Sequence, residues 1–369
     1  MEEIKIMLNL NVDKIVVVDS GKNSIKVFTF SSDYELLDIS VFPSKSKKKR
    51  NFADIDSSGE NQFKIEIDNE KYLIGEGIPD NYNFETTKNN LHHKLCIYTA
   101  IANSVVGKNE KVKLIVGYPS SDFTNETKRN EYVDLLKSDK VVEMKVNGKD
   151  KSFLIKNISV YPEGIALKPR MINPNKVVQI VDLGGQNLNY RLYDLKGNTL
   201  NSFSLDKAGI NHLEEYFRTQ LRKFVEADKV DISSIDVLGA IKNKEIKELN
   251  PNYLTAYKST EEFVVDTVLS FLENQILGQL ISKGINLYQR GNFIIFTGGG
   301  SLLLNPYFKM LLENNEGNMY FSSTAQFDNC ISYVIKDLGD MCKSRGLLKE
   351  ASVIGQKILN EIDTLLLKK

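Results

Sequence analysis

One pattern occurs twice in this chain, and it restricts the fold more than any other feature. Residues 14–30 read KIVVVDSGKNSIKVFTF and residues 176–193 read KVVQIVDLGGQNLNYRLY. With Asp19 laid on Asp182, Gly21 falls on Gly184. In each copy a β-branched run leads to Asp-x-Gly. A turn rich in Gly, Asn and Lys follows, and then an alternating strand, with Ile25, Val27 and Phe28 in the first copy and Leu188, Tyr190 and Leu192 in the second. This is the strand–turn–strand signature of a β-hairpin. Two copies predict two lobes of related architecture.

Strands and helices alternate around both copies, which predicts an α/β protein. ELLDISVF, FKIEID and KYLIGEGI read as short strands, and TKNNLHHKLCIYTAIANSV reads as a helix. KVKLIVGYP reads as a buried strand ending at Pro119, and residues 125–138 as a helix. VEMKVNGKDKSFLIKNISVYP reads as a hairpin turning at Asn147-Gly148. In the second half, INHLEEYFRTQLRKFVE is an amphipathic helix. STEEFVVDTVLSFLENQILGQLISKG is a long one, capped by Ser259 or Thr260 with Glu261 and Glu262 in its first turn. NFIIFTGGGSLLL is a buried strand entering a glycine turn and a helix start, and the tail from Asn329 is mostly helical. The expected division is a first lobe over 1–180 and 325–369, with a small insertion near 33–90. The second lobe covers 181–324, with a small subdomain near 206–275.

At 369 residues, 41% of them hydrophobic, the chain can fill two such cores without a disulfide or metal staple. The formal net charge is zero, so no global field draws it to nucleic acid or to a membrane. Cys96, Cys330 and Cys342 are scattered and odd in number, which reads as reduced structural thiols. His92, His93 and His212 form no metal-ligand spacing. The N-terminus MEEIKIMLNLN lacks a leader pattern, and no apolar run reaches the ~20 residues of a membrane helix. A cytoplasmic protein is expected.

The Asp-x-Gly hairpins suit phosphate chemistry. Glycine allows positive φ and a close approach, so backbone N–H groups can point at phosphate oxygens. The leading Asp at a strand end can hold a hydrated Mg2+. A single hairpin of this kind is also common turn chemistry; two matched copies with a third glycine loop are far more specific. That third loop is Thr297-Gly298-Gly299-Gly300-Ser301, between a buried strand and a helix N-terminus. A dinucleotide-binding GxGxxG with its acidic partner is absent, as is a Walker A motif.

The ordered set DSGKNSIKV, YPEGIAL, VDLGGQNLNY and FTGGGS resembles the phosphate-1, connect, phosphate-2 and adenosine motifs of the actin superfamily. Within that superfamily the chain is most similar to the ParM-like plasmid-segregation actins. Pro162-Glu163 matches their connect segment, STAQFDNCISYVIKDLG their C-terminal region, and the paired histidines of TKNNLHHKLCIYTAIA one of their helices. The resemblance implies the actin/Hsp70/sugar-kinase (ribonuclease H-like) superfold. That is two lobes with mixed five-stranded sheets flanked by helices, and ATP in the interlobe cleft.

It also implies roles. Asp19 and Asp182 would hold Mg2+ through water. Gly21, Lys22 and Asn23 would cradle the β- and γ-phosphates from the first lobe, and Gly184, Gly185 and Gln186 from the second. Glu163 would orient or deprotonate the attacking water, and Gly298, Gly299, Gly300 and Ser301 would hold the adenosine end. In the family, ATP-bound subunits form a helical filament that disassembles after hydrolysis, and a DNA-binding adaptor on a centromere-like site links it to plasmid DNA. The chain carries no DNA-reading motif of its own, which fits such delegation.

The chain departs from the family at Gln186-Asn187, where Thr or Ser is common. AIKNKEIKEL is the stretch where adenine contacts belong, and ATP versus GTP stays open. The alternatives are a small-molecule kinase of the same superfold, a chaperone-type ATPase lacking its peptide domain, and a non-catalytic nucleotide-binding scaffold. Three features have plain readings. Lys26 reads as a surface strand residue. SKSKKKR, residues 44–50, reads as a mobile surface loop of the first lobe's insertion rather than a contact with an acidic neighbour, a filament subunit or DNA. The C-terminal helix, with Val353, Ile354, Ile358, Ile362 and Leu365 or Leu366 at helical spacing, reads as packing against the first lobe.

Overall fold

A computed structural model describes residues 10–52, 59–78, 88–167, 176–226, 229–288 and 292–366. Most of the segment on which the leaderless N-terminus was read, and residues 53–58 and 79–87 of the expected insertion, lie outside the described residues. The chain divides into two compact units, Met1–Lys168 with Phe327–Lys369, and Pro169–Gln326.

The first unit contains β1 (Lys14–Ser20), β2 (Ser24–Ser31), β3 (Leu36–Pro43), β4 (Ser46–Lys49), β5 (Gln62–Ile67), β6 (Glu70–Gly75), α1 (Leu91–Ser104), β7 (Glu110–Tyr118), α2 (Glu126–Leu136), β8 (Val142–Val146) and β9 (Lys149–Pro162). The β-branched run of β1 is buried throughout after Lys14. That suits a central strand covered on both faces. Side chains alternate across it. Val16 and Val18 join the core under α1, while Ile15 and Val17 join the core on the opposite face. The strand order is β3-β2-β1-β7-β9-β8-β5-β6-β4. The expected five-stranded block, β3-β2-β1-β7-β9, continues into four more strands because β9 is 14 residues long. Its later part runs parallel to β7, and its start pairs antiparallel with β8. The β8–β9 hairpin turns at Asn147-Gly148 as expected, both with positive φ (50° and 78°), the geometry of a two-residue hairpin turn.

Residues 44–50 do not form one loop. Ser46–Lys49 is strand β4, paired with β6 and forming one edge of the sheet, and Lys48 meets Glu70 at 2.8 Å. Lysines on an edge strand discourage pairing with another chain.

The second unit contains β10 (Val178–Leu183), β11 (Asn187–Tyr193), β12 (Thr199–Asp206), α3 (Ile210–Phe224), α4 (Val237–Asn243), α5 (Thr260–Phe271), β13 (Phe293–Thr297), α6 (Gly299–Leu311) and β14 (Met319–Phe321). Its strand order is β12-β11-β10-β13-β14. The directions repeat those of β3-β2-β1-β7-β9: two antiparallel pairings, then two parallel ones. The sequence echo is therefore a topological repeat. Helix α3 buries Ile210, Leu213, Phe217 and Leu221 along one stripe. Ser259 caps α5 by accepting from the Glu262 amide, and Glu262 answers by accepting from the Lys258 amide. The helix runs on through a π-turn, Leu272–Leu277, into Gly278–Ser282.

The chain returns to the first unit with α7 (Asp328–Ser344) and α8 (Leu348–Leu366). Helix α8 buries Ile354, Ile358 and Ile362 there, whereas Val353 is exposed and lies off the apolar stripe. All three cysteines are buried and free. Helix α7 is tied to the sheet by buried charge. Lys113 Nζ on β7 lies 2.5 Å from Asp337 Oδ2. The hydroxyls of Tyr34 and Tyr161 donate to the same carboxylate at 3.0 and 3.4 Å. Burial pushes both tyrosines up, and the Asp337 charge pushes them further.

Replacing Asp337 by Ala leaves the Lys113 ammonium buried without this carboxylate, a change that costs about 3–5 kcal/mol. Urea unfolding of Asp337→Ala followed by near-UV circular dichroism should show a clearly lower midpoint. An unchanged midpoint would mean that this carboxylate does not hold Lys113.

Candidate functional site

In the first unit the parallel register of β1, β7 and β9 gathers their carboxyl ends. Val18 pairs with Val116, and Tyr118 pairs with Pro162. Asp19 lies at the end of β1, and Glu163 directly follows β9. The Glu163 amide donates to the Tyr118 carbonyl at 3.0 Å, and the Ser120 hydroxyl donates to the Glu163 carbonyl. The next amide, that of Gly164, donates to Asn329 Oδ1 at 2.9 Å. Gly164 has φ +69° and Ala166 φ +39°. A non-glycine residue in that region carries strain, which structures tolerate mainly at functional segments.

Two ammonium groups and two carboxylates meet here. Lys26 Nζ lies 3.1 Å from Asp19 Oδ2. Lys88 Nζ lies 2.5 Å from Glu163 Oε1 and donates to the Gly117 carbonyl at 3.4 Å. The Lys88 side chain is 2% exposed and that of Glu163 13%. Burial alone would raise the Asp19 carboxyl. The charges of Lys26 and Lys88, with hydrogen bonds from Lys26 and Asn329, outweigh burial and hold it below its ordinary value. Burial likewise pulls Lys88 down, but Glu163, Tyr132 and Asp19 reverse this and raise it, so Lys88 is an ammonium.

Gly21, Lys22 and Asn23 form the three-residue turn between β1 and β2. Gly21 does not use positive φ, as the sequence reading allowed. What excludes a side chain is crowding: a Cβ there would sit 2.8 Å from Lys26 Nζ and 2.9 Å from the Ser24 carbonyl.

The second unit repeats the arrangement with different partners. Asp182 occupies the register position of Asp19, and Asn189 that of Lys26, each pair seven residues apart. Asn189 Nδ2 lies 3.5 Å from Asp182 Oδ2, and Ser204 fixes Asn189 by donating to its Oδ1. The turn Gly184-Gly185-Gln186 rests on the start of α3. The Gly184 carbonyl accepts from the Ile210 amide at 3.2 Å, and the Gly185 carbonyl from the Asn211 amide at 2.8 Å. A Cβ on Gly209 would collide with this turn at 2.4 Å. Every peptide here is trans, so each N–H opposes the preceding carbonyl. The amides of Gly185 and Gln186 therefore point away from α3, the orientation an anion-binding loop requires.

The glycine triplet adjoins this turn, because Thr297 pairs with Asp182 across β13 and β10. Gly298 has φ +80°, and a Cβ there would lie 2.4 Å from Asp182 Oδ1. Gly298 and Gly299 leave bare backbone at the surface of the unit. Gly300 and Ser301 face inward, with Ile210 filling the space a Gly300 Cβ would need and the Ser301 hydroxyl donating to the Gly298 carbonyl.

The structure thus gathers Asp19, Glu163 and the first turn in one unit, and Asp182, the second turn and the triplet in the other. Four further residues join them: Lys26, Lys88, Asn329 and Asn189. Lys26 is no plain surface residue. The echo held its signal, since Lys26 and Asn189 stand at the same place in the two copies. No spacing marks Lys88 or Asn329. Among the described residues, no group of three or more His, Cys, Asp or Glu side chains is arranged to hold a metal ion. A hydrated Mg2+ bound mainly through phosphate oxygens needs only one or two carboxylates; buried Asp19 in the first unit has the chemistry of such a ligand, and so, separately, has buried Asp182 in the second. No described helix is long and apolar enough to cross a membrane.

Residues 18–165 match the family model for the actin like proteins N terminal domain. A comparison with curated protein sequences finds no match. Among solved structures, a 15-stranded ParM filament from Clostridium botulinum superposes with a TM-score of 0.62 at 17% identity, covering 87% of this chain and 98% of that one. The Alp12 filament structure gives 0.55 at 24% identity, covering 88% and 98%. The archaeal actin homolog Ta0583 in complex with ADP gives 0.61 at 15% identity, covering 86% and 97%. At these identities the likeness establishes the fold, which is actin-like.

The Lys26–Asp19 pair has a testable pH signature. A carboxyl held below its ordinary 3.8 contributes stability above that value and loses it as pH falls through the lowered one. In Lys26→Met the largest influence opposing burial is gone, so an ionised Asp19 becomes a liability near neutrality and ceases to be one in acid. The melting-temperature gap between wild type and Lys26→Met should be widest near pH 7 and narrow below about pH 4. A gap independent of pH would remove Lys26 as the partner of Asp19.

Proposed function

From an actin-like fold whose N-terminal domain matches that of the actin-like proteins, we propose that this chain is an ATPase that assembles into filaments with ATP and leaves them after hydrolysis. The observation that carries this reading is the repeated hairpin. The same Asp stands at the same register on the corresponding strand of each unit's sheet, followed by a glycine turn. Solved filaments and an ADP complex on the same fold support it.

In this reading Gly21, Lys22 and Asn23, and the amides of Gly185 and Gln186 beside Gly184, bind the β- and γ-phosphates. Lys26 adds a positive charge at the first turn. Gly298 and Gly299 receive the adenosine, over the packing made by Gly300 and Ser301. Asp19 and Asp182 would hold Mg2+, which when bound would supply charge neutralisation on the transferring phosphoryl group. Glu163 orients the attacking water. Such a reaction needs mainly positioning and charge stabilisation, which these groups provide. GTP is the alternative nucleotide. Subunits join head to tail, a contact that does not close on itself and so extends as a helix. A DNA-binding adaptor on a centromere-like site couples the polymer to plasmid DNA in the cytoplasm, driving segregation.

The test is right-angle light scattering of the purified protein with Mg-ATP, alongside phosphate release. Scattering should rise on nucleotide addition and decay as phosphate appears. Phosphate release that needs a small-molecule acceptor, with no rise in scattering, would favour a kinase instead. Glu163→Ala should abolish phosphate release and yield filaments that persist; normal release would remove Glu163 from its role. Asp182→Ala should lose Mg-dependent turnover, and retained turnover would relocate the metal.

A further inference from the structure

We infer that Lys88 is the positioning residue for Glu163: its buried ammonium fixes the carboxylate that orients the attacking water, so turnover depends on Lys88 while nucleotide affinity does not. The inference rests on the reading just given and names a residue to which the sequence reading assigned no role.

Glu163 is constrained more completely than a surface carboxylate need be. Its amide is held by the Tyr118 carbonyl, its carbonyl by Ser120, and the following amide by Asn329. These bonds fix the backbone. The side chain retains its own rotations, and Lys88 removes them by engaging Oε1 at 2.5 Å. Lys88 is steadied in turn by the Gly117 carbonyl.

Stability alone is a poor account of this pair. Withdrawing two charges from water costs about as much as their attraction returns, and an apolar pair of similar volume packs as well. The location is more informative. Lys88 lies two residues ahead of Asn90, the N-cap of α1. Its charge acts on Glu163 and also on Asp19. One ammonium thus serves both carboxylates at the carboxyl ends of the parallel strands. Asn329 makes a second link between the same two places, accepting from Gly164 and hydrogen-bonding Asp19.

The experiment measures Mg-ATP-dependent phosphate release and ADP affinity for the full chain as wild type, Lys88→Met, Lys88→Arg, Glu163→Gln and the double variant Lys88→Met/Glu163→Gln. A misplaced catalytic group costs about 10- to 100-fold, so Lys88→Met should lose that much in kcat, with ADP affinity within about threefold of wild type. Lys88→Arg should recover part of the loss. The double variant should be no slower than Glu163→Gln alone, as groups acting as a unit are non-additive. It also replaces the ion pair by neutral groups of similar size, which guards against a single variant that fails to fold. Wild-type turnover in Lys88→Met overturns the inference. So does a loss of ADP affinity equal to the loss of turnover, which would make Lys88 a phosphate ligand, and so does a double variant at least about tenfold slower than Glu163→Gln. Wild type that releases no phosphate at all overturns the ATPase reading, and this inference with it.

Discussion

The parallel ladder of β1, β7 and β9 is the constraint on which the first-unit site depends. Parallel strands share a direction, so their carboxyl ends share an edge. Asp19, Gly117 and Glu163 are far apart in sequence, and only this register makes them neighbours. The second unit applies the same rule with β10 and β13, setting Asp182 beside Thr297 and the glycine triplet. In open α/β sheets, ligands collect outside the carboxyl ends of strands. Each unit offers its polar groups at such an edge and keeps its apolar residues below.

Buried charge follows a consistent pattern in the first unit. Lys26 meets Asp19, Lys88 meets Glu163, and Lys113 meets Asp337. Each lysine would be expensive to bury alone, and each has a carboxylate within reach. The pairs differ in setting. Lys113–Asp337 lies under α7, closed in by two tyrosine hydroxyls, and works as a fastener. The other two lie at the strand ends, where backbone turns and strained connections gather. Helix α7 joins the two settings, since Asp337 anchors the helix whose first turn presents Asn329 to Asp19 and Gly164.

Much of this was legible in the residues, and the limits are physical. Period-2 and period-3.6 patterning located β1, β7, β10, β13, α3 and α5, because those elements bury one face or both. The echo of Asp19 and Asp182 predicted a hairpin in each of two related lobes, and the structure extends that to a repeat of strand directions. Residues 44–50 misled, because a basic run resembles a solvated loop unless its partner strand β6 is known. Glycine was foreseen at Gly21 for positive φ and close approach to phosphate, whereas the structure requires it because the Ser24 carbonyl and Lys26 crowd the turn. Lys88 and Asn329 were invisible. A lysine ahead of a helix and an asparagine in a helix's first turn are ordinary locally, and they matter only once distant strands converge.

The lysine-bearing strand β4 decides how its edge of the sheet can meet other strands. A sheet that accepts new strands at its rim tends toward deeply trapped, essentially permanent aggregates. Charge on that rim blocks this route. At this edge, contact with another protein surface is left to side chains, which small changes in shape can weaken and release.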